Sequence, residues 1–107
     1  MNVGFYPDAE REFVDALQFY LHRQHRVAAK FDRAVFEIVD SMKTRSDMGW
    51  SYIHGTRQQR VSGFPFGIVF LTHQNFTLIV AVAHSSRKPG YWVERIPSEF
   101  VPGTSSE

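Results

Sequence analysis

The sequence feature that most constrains the fold is a long apolar stretch in the second half of the chain. Residues 67–73 and 76–83 are almost entirely apolar or β-branched, and Gln74 and Asn75 between them suit a two-residue turn. This pattern predicts a β-hairpin. Because side chains alternate along a strand, the second strand presents apolar residues on both faces and should be buried on both sides. The predicted faces are Phe76, Leu78, Val80 and Val82 on one side and Ile79, Ala81 and Ala83 on the other.

Two amphipathic helices precede the hairpin. Residues 2–6 read as a short strand, and Pro7 after it suits the first turn of a helix that we expect to end near Gln24. A second helix is predicted over residues 28–42, where apolar residues recur every three or four positions. The connection around His25 is short, so the two helices should lie antiparallel. The apolar stripes are Ala9, Phe13, Ala16, Leu17, Tyr20 and Leu21 in the first helix and Ala28, Phe31, Val35, Ile38 and Met42 in the second.

The remaining segments read as connections and edge elements. Residues 45–55 predict a loop, residues 56–61 a polar strand at or near a sheet edge, and residues 85–96 a turn with room for a short helix. Residues 97–107 are rich in Pro, Gly and Ser/Thr, and we expect a flexible tail there. A chain of 107 residues suits one domain. We therefore predict a single α+β domain over residues 1–96, in which two helices accompany a mainly antiparallel sheet.

One face of the predicted hairpin has no layer to cover it. The two helices form a single layer, which covers one side of the sheet only. The cover of the other side is open at this point, since the end of the chain itself, a second copy or a different protein would each serve. We interpret the missing layer as an indication of a protein partner.

Charge is distributed unevenly along the chain. Residues 48–93 contain no Asp or Glu. The formal charges are −1 for residues 1–47, +4 for residues 48–93 and −2 for residues 94–107, so the net charge of +1 conceals a positive region. A local positive field attracts phosphate groups or acidic protein surfaces, and we therefore expect an anionic partner. The basic residues of this region are Arg57, Arg60, Arg87 and Lys88.

The composition removes several chemistries. The chain has no cysteine, which excludes disulfides, thiolate metal sites and cysteine nucleophiles. His22 and His25 lie three apart, but two histidines without further ligands make a weak metal site, so we expect surface residues there and no metal or other cofactor. No apolar run is long enough to cross a bilayer, and the N-terminus lacks a signal-peptide pattern. We expect a cytoplasmic protein without membrane contact.

Two segments resemble the RelE/ParE superfamily of toxins from type II toxin–antitoxin pairs. Residues 81–92 read Ala-Val-Ala-His, two serines, Arg-Lys-Pro-Gly and Tyr-Trp, similar to a family ending in which Ala-Val-Ala-His precedes two basic residues, Pro and Tyr-Trp. Residues 57–70 resemble the family's basic strand, its Phe-Pro-Tyr segment and the apolar strand that follows. The chain departs from the family at Phe66 and Gly67, where Tyr and Arg are common, and in having a second serine before Arg87.

The resemblance implies a two-layer RelE/ParE-like fold, with the helices on one face of the sheet and the first strand beside the last. It also implies a toxin that inhibits growth, serves in plasmid stabilisation and is neutralised by a cognate antitoxin, as a homodimer or in a heterotetramer with the antitoxin. ParE-like members poison DNA gyrase, whereas RelE-like members cleave messenger RNA on the ribosome. We favour a ParE-like toxin that is not an enzyme, since the basic strand has only two arginines and Phe66 lacks a hydroxyl. A RelE-like endoribonuclease is the alternative, and a degenerate, non-toxic member is a further one.

The same segments supply the candidate site residues. Those expected to contact the target or the antitoxin are Arg57, Arg60, Arg87, Lys88, Tyr91 and Trp92. Arginine suits both phosphate and carboxylate, because its guanidinium donates two parallel hydrogen bonds. For metal-independent RNA cleavage, the candidates for proton transfer and charge stabilisation are His84, Arg87 and Tyr91. The simpler interpretation is that His84 caps a strand end, that Tyr91 and Trp92 pack under the sheet rim, and that the cations are solvated.

Three aromatic residues near these segments also have two interpretations. Trp50, Tyr52 and Trp92 suit stacking on nucleic-acid bases. Anchoring of the core or of a loop is the more common role for such residues, and we favour it here.

Overall fold

In sequence order, one strand and two helices precede the other four strands of the sheet. The computed structural model describes residues 1–45 and 47–100, which make an α+β fold with an N-terminal strand, two helices and a five-stranded mixed sheet. The strands are β1 (Asn2–Phe5), β2 (Trp50–Ser51), β3 (Arg57–Arg60), β4 (Phe66–His73) and β5 (Phe76–His84), and the helices are α1 (Pro7–Leu21) and α2 (His25–Met42). Short 3₁₀ turns lie at Ile53–Gly55, Val93–Arg95 and Ser98–Phe100.

The β4–β5 hairpin lies in the middle of the sheet. The strand order is β1-β5-β4-β3-β2, with β1 parallel to β5 and the other neighbours antiparallel. The predicted hairpin is confirmed, and Gln74 in its turn adopts a left-handed conformation with φ of 56°, as tight hairpin turns require. The segment predicted to be a loop contains the two-residue strand β2, which pairs with β3, so β3 lies one strand in from the edge.

The two helices pack against each other antiparallel, as predicted. The ring centres of Phe13, near the middle of α1, and Phe36, in the second half of α2, are 6.4 Å apart. Those of Tyr20, near the end of α1, and Phe31, in the first half of α2, are 5.2 Å apart. The α1 helix begins at Pro7, and α2 begins at His25, three residues earlier than the apolar stripe suggested. Only residues 22–24 connect the helices.

The helices cover one face of the sheet through a cluster of aromatic rings. Phe31 is fully buried, and its ring lies 5.8 Å from Phe13 on α1 and 5.3 Å from Phe66 on β4. Phe70 and Ile79 bring the middle of the hairpin into the same cluster. Burial of this apolar surface stabilises the pairing of helices and sheet.

The second face of the sheet is covered by the end of the chain itself. Trp92 is 1% exposed and packs in one cluster with Val69 and Val80 of the hairpin. Tyr52, Tyr91, Ile96 and Phe100 complete this cover. The inference that the second face needs a protein partner is therefore wrong, because residues 91–100 supply the missing layer.

A β-bulge changes which side chains of β5 share a face. Val69 pairs with Ala81 and Phe70 pairs with Ile79, so Val80 is an extra residue on β5. Val80 and Ala81 both pack in the cluster around Trp92 on the second face of the sheet. Val82, like Ile79, packs on the face that the helices cover. The predicted strict alternation is wrong at this point, since a bulge shifts the face by one residue.

The C-terminal segment packs further along the chain than predicted. The short helix for which residues 85–96 had room is a 3₁₀ turn at Val93–Arg95. Packing continues beyond the predicted domain boundary at Ile96, because the ring of Phe100 lies 5.4 Å from His73 and 6.3 Å from Phe76. The rest of the predicted tail, residues 101–107, lies outside the described residues.

Candidate anion-binding site

A pocket of about 180 Å³ opens where β5 leaves the sheet. Its walls come from β3, the start of β4, the end of β5 and the turn after it. The basic residues among its walls are Arg60, His84, Arg87 and Lys88, and no Asp or Glu of the described chain lines it. We call this the cationic pocket. Its composition suits an anionic group, because several donors face it without a competing carboxylate.

The structure brings most of the predicted binding residues together here. Arg60, Arg87, Lys88 and Tyr91 all line the cationic pocket. Trp92 also borders it but is 1% exposed, so it forms part of the core and offers little surface to a ligand. Gln58, which sequence reasoning did not select, lines the same pocket, and its side chain lies over Gly67.

Arg57 is bonded through its guanidinium to the loop before β2, and its predicted contact with the target or the antitoxin stays a prediction. Its guanidinium donates hydrogen bonds to the carbonyl oxygens of Asp47 (2.7 Å), Met48 (2.9 Å) and Gly49 (3.1 Å). Gly49 has φ of 73°, and a Cβ there would collide with the carbonyl oxygen of Gln58. Arg57 therefore holds the loop that leads into β2, and it is not among the residues that line the cationic pocket.

His84 ends β5 with one ring nitrogen already engaged. Its Nδ1 accepts a hydrogen bond of 3.0 Å from the backbone N–H of Ser86, and its ring meets Phe66 edge-on at 5.0 Å. This hydrogen bond assigns the hydrogen of the neutral imidazole to Nε2. In that tautomer His84 can donate to an anion but has no free nitrogen with which to accept a proton.

The Tyr91 ring contacts the guanidinium of Arg87, and the Tyr91 hydroxyl is bonded to Glu12. The guanidinium carbon of Arg87 lies 3.8 Å from the centre of the Tyr91 ring, a cation–π distance. The Tyr91 hydroxyl donates a hydrogen bond of 2.8 Å to a carboxylate oxygen of Glu12. Burial, followed by the hydrogen bond and negative charge of Glu12, raises the pKa of Tyr91 well above its ordinary value. The phenol therefore keeps its proton to a higher pH than an ordinary tyrosine does.

Glu12 is the residue that sequence reasoning missed. Its carboxylate also accepts hydrogen bonds from the backbone N–H of Val82 (3.0 Å) and from both terminal nitrogens of Arg95 (2.9 and 3.2 Å). Arg95 in turn donates to the carbonyl oxygen of Val80 at 2.9 Å. Burial alone would lower the pKa of Arg95, but the hydrogen bond and charge of Glu12 outweigh burial and raise it. The sequence signal was an acid at helical spacing between the buried residues Ala9 and Ala16.

Glu12 and Arg95 also take the place of a neighbouring strand. The pairing of β1 with β5 ends at Phe5 and Ile79, because the chain turns into α1 at Pro7. Beyond that point the two side chains bond the backbone of Val80 and Val82. The open end of β5 is thereby blocked against pairing with another chain.

A second depression of about 340 Å³ adjoins the cationic pocket on the side of α1. The two share Phe66, His84, Arg87 and Tyr91, so Arg87 borders both. Phe19, which is 52% exposed, and Tyr20 give the second depression an aromatic wall. Glu12 and Asp15 also line this depression, so it offers both an aromatic wall and carboxylates beside the cationic pocket.

The other candidates are dispersed. The Nδ1 of His22 donates to the carbonyl oxygen of Gln18 at 2.8 Å, and no group of three or more possible metal ligands converges in residues 1–45 and 47–100. Tyr52 packs toward Trp92, with ring centres 6.2 Å apart, so these two anchor the core. Trp50 is 46% exposed on β2. Within the described ranges, neither helix is long and apolar enough to cross a membrane.

Comparison with protein-family models, with curated proteins and with solved structures found no match to this chain. The fold and the site define an α+β protein with a cation-lined pocket at the end of β5.

Proposed function

We propose that the protein is the toxin of a type II toxin–antitoxin pair, of the RelE/ParE superfamily and its ParE-like branch. It inhibits growth by binding an essential cellular target, DNA gyrase by resemblance. The observation that carries the proposal is the cationic pocket, in which Arg60, Arg87 and Lys88 converge without a carboxylate. Two of these residues belong to the segment that resembles the family ending. The order of strand, two helices and sheet is also the order that the family resemblance implies.

Binding is favoured over RNA cleavage by the state of two side chains. A nuclease of this kind needs a group that takes a proton from the attacking hydroxyl. The Nδ1 of His84 accepts the Ser86 N–H, and the Tyr91 hydroxyl donates to Glu12 while its pKa lies above its ordinary value. Neither side chain is poised as a base. The other charged side chains of the pocket are Arg60, Arg87 and Lys88, which suit recognition of an anionic surface.

The antitoxin in this proposal covers the cationic pocket and leaves the sheet face alone. Because residues 91–100 already bury the second face of the sheet, an antitoxin gains little by binding there. An acidic segment seated at Arg87 and Lys88 would neutralise the pocket and compete with the target. Its charge would complement the positive region of the sequence.

The test is expression from a tight inducible promoter in a bacterial host. We expect the wild-type chain to stop growth and to cause gyrase-dependent DNA breaks. Reversal of charge in Arg87→Glu with Lys88→Glu should weaken target binding by about 100-fold and restore growth, because two contacts in the pocket become repulsive. The matched control is the double variant Arg26→Glu with Lys30→Glu, at two exposed positions of α2 outside the pocket. This variant should remain toxic.

The other outcomes separate the alternatives. Cleavage of translated messages within codons, seen by primer extension, would overturn the binder and support the endoribonuclease. Unaffected growth with a folded, well-expressed wild-type chain would overturn toxicity and favour a degenerate member that only pairs with an antitoxin. If the Arg87→Glu, Lys88→Glu variant were fully toxic and had a normal melting curve, the cationic pocket would not be the site that binds the target.

A further inference from the structure

Glu12 is a largely buried carboxylate that lies outside the cationic pocket. Its side chain is 17% exposed, and that of Arg95 beside it is 15% exposed. It does not line the cationic pocket, whereas Tyr91 does. Buried carboxylates need partners for their charge and lone pairs, and Glu12 has them in Arg95, Tyr91 and the Val82 N–H.

The contacts of Glu12 lead directly to a cation of the pocket. Tyr91 can rotate about two side-chain bonds, and its hydroxyl is held by Glu12 at 2.8 Å. The guanidinium of Arg87 then rests on the Tyr91 ring at 3.8 Å, and that of Arg95 lies 5.2 Å from the same ring. Arg87 is exposed and forms no ion pair within the described ranges, so the ring is its main support.

We propose that Glu12 is a positioning residue for the cationic pocket, because it fixes the Tyr91 ring and thereby holds Arg87 where an anionic group binds. The inference rests on the proposed function, in which the pocket binds an anion. It adds a residue from the first helix, 79 positions from Tyr91 in sequence, to the determinants of that site.

A structural role and a positioning role make different predictions. If Glu12 only stabilises the fold, its replacement lowers the melting temperature and leaves Arg87 unchanged in the folded protein. If Glu12 positions the pocket, Arg87 becomes mobile and anion affinity falls while the protein is still folded. The motion of the Arg87 side chain separates the two, since a purely structural contribution would not alter it.

The experiment uses the full ¹⁵N-labelled chain and two measurements by NMR. The first is the heteronuclear NOE of the Arg87 side-chain N–H, assigned with the Arg87→Gln variant. The second is the affinity for inorganic phosphate as a probe, from chemical-shift titration. We expect Glu12→Gln to lower the NOE and to weaken phosphate binding about tenfold, the size of a lost cation–π support. Glu12→Asp should retain part of both, and the matched control Glu10→Gln, at an exposed position of α1, should equal the wild type.

A second variant keeps the test decisive if Glu12→Gln does not fold. Tyr91→Phe retains the ring but loses the hydrogen bond to Glu12, and we expect the same changes at a smaller size. An Arg87 NOE and a phosphate affinity equal to the wild type in the folded variants would overturn the inference. Absence of phosphate binding by the wild type would instead contradict the anion site of the proposed function, while the Arg87 NOE would still decide the role of Glu12.

Discussion

Arg57 shows how the environment of a single side chain decides its role. Its three hydrogen bonds go to backbone carbonyls of residues 47–49, so the charge is used to hold a loop. Hydrogen bonds to a charged donor stabilise by about 1.5–3 kcal/mol. We therefore expect Arg57→Ala to lower the free energy of unfolding by about that amount in urea denaturation. Phosphate affinity should remain close to the wild type.

Two other basic residues provide the controls for this prediction. Arg60→Ala should weaken phosphate binding with little effect on stability, because Arg60 is exposed and lines the cationic pocket. Arg33→Ala, on the exposed face of α2, should change neither quantity beyond about 0.5 kcal/mol. A loss of phosphate affinity in Arg57→Ala as large as in Arg60→Ala would show that Arg57 serves the pocket after all.

At the scale of elements, the C-terminal segment is the second layer of the sheet, and Trp92 is its centre. Trp92 is 1% exposed, whereas Trp50 on the edge strand β2 is 46% exposed. We expect Trp92→Ala to cost about 3–5 kcal/mol, as large buried residues do. Trp50→Ala should cost less than about 1 kcal/mol. Urea denaturation followed by far-UV circular dichroism compares them, and equal losses would mean that residues 91–100 do not seal the sheet.

The elements that the sequence predicts well are those written in local patterns. The helices and the β4–β5 hairpin follow from spacings of three, four and two residues, and their positions agree with the structure except at the end of α1 and the start of α2. The bulge at Val80 does not, since it depends on how β5 pairs with β4. The second-face cover and the Glu12–Arg95 contact join residues far apart in the chain, 83 positions in that pair, which no local pattern reports. The sequence predicted the pocket as a basic region. It did not predict that Arg60 lines the pocket whereas Arg57 bonds the loop before β2.

At the scale of the whole molecule, Glu12 on the first helix bonds Tyr91 and Arg95 in the C-terminal segment. The stability that these contacts provide depends on pH, because the Tyr91 phenol can ionise. Burial and Glu12 raise the pKa of Tyr91 above its ordinary value of 10.0. Below pH 10 the tyrosine is protonated in both folded and unfolded chains, so its stabilisation is fully present. Above pH 10 only the unfolded chain releases the proton, and the free energy of unfolding should fall by up to about 1.4 kcal/mol per pH unit.

Comparison of the wild type with Tyr91→Phe isolates this term. The variant lacks the hydroxyl, so its stability should start lower at pH 8.5 and should decline less steeply between pH 10 and 11. Tyr20, whose pKa burial also raises, is present in both proteins and cancels in the difference. Urea denaturation at several pH values gives the two curves. Parallel curves would mean that the Tyr91 phenol ionises alike in the folded and unfolded chains, and Glu12 would then not hold it in the way that the hydrogen bond of 2.8 Å indicates.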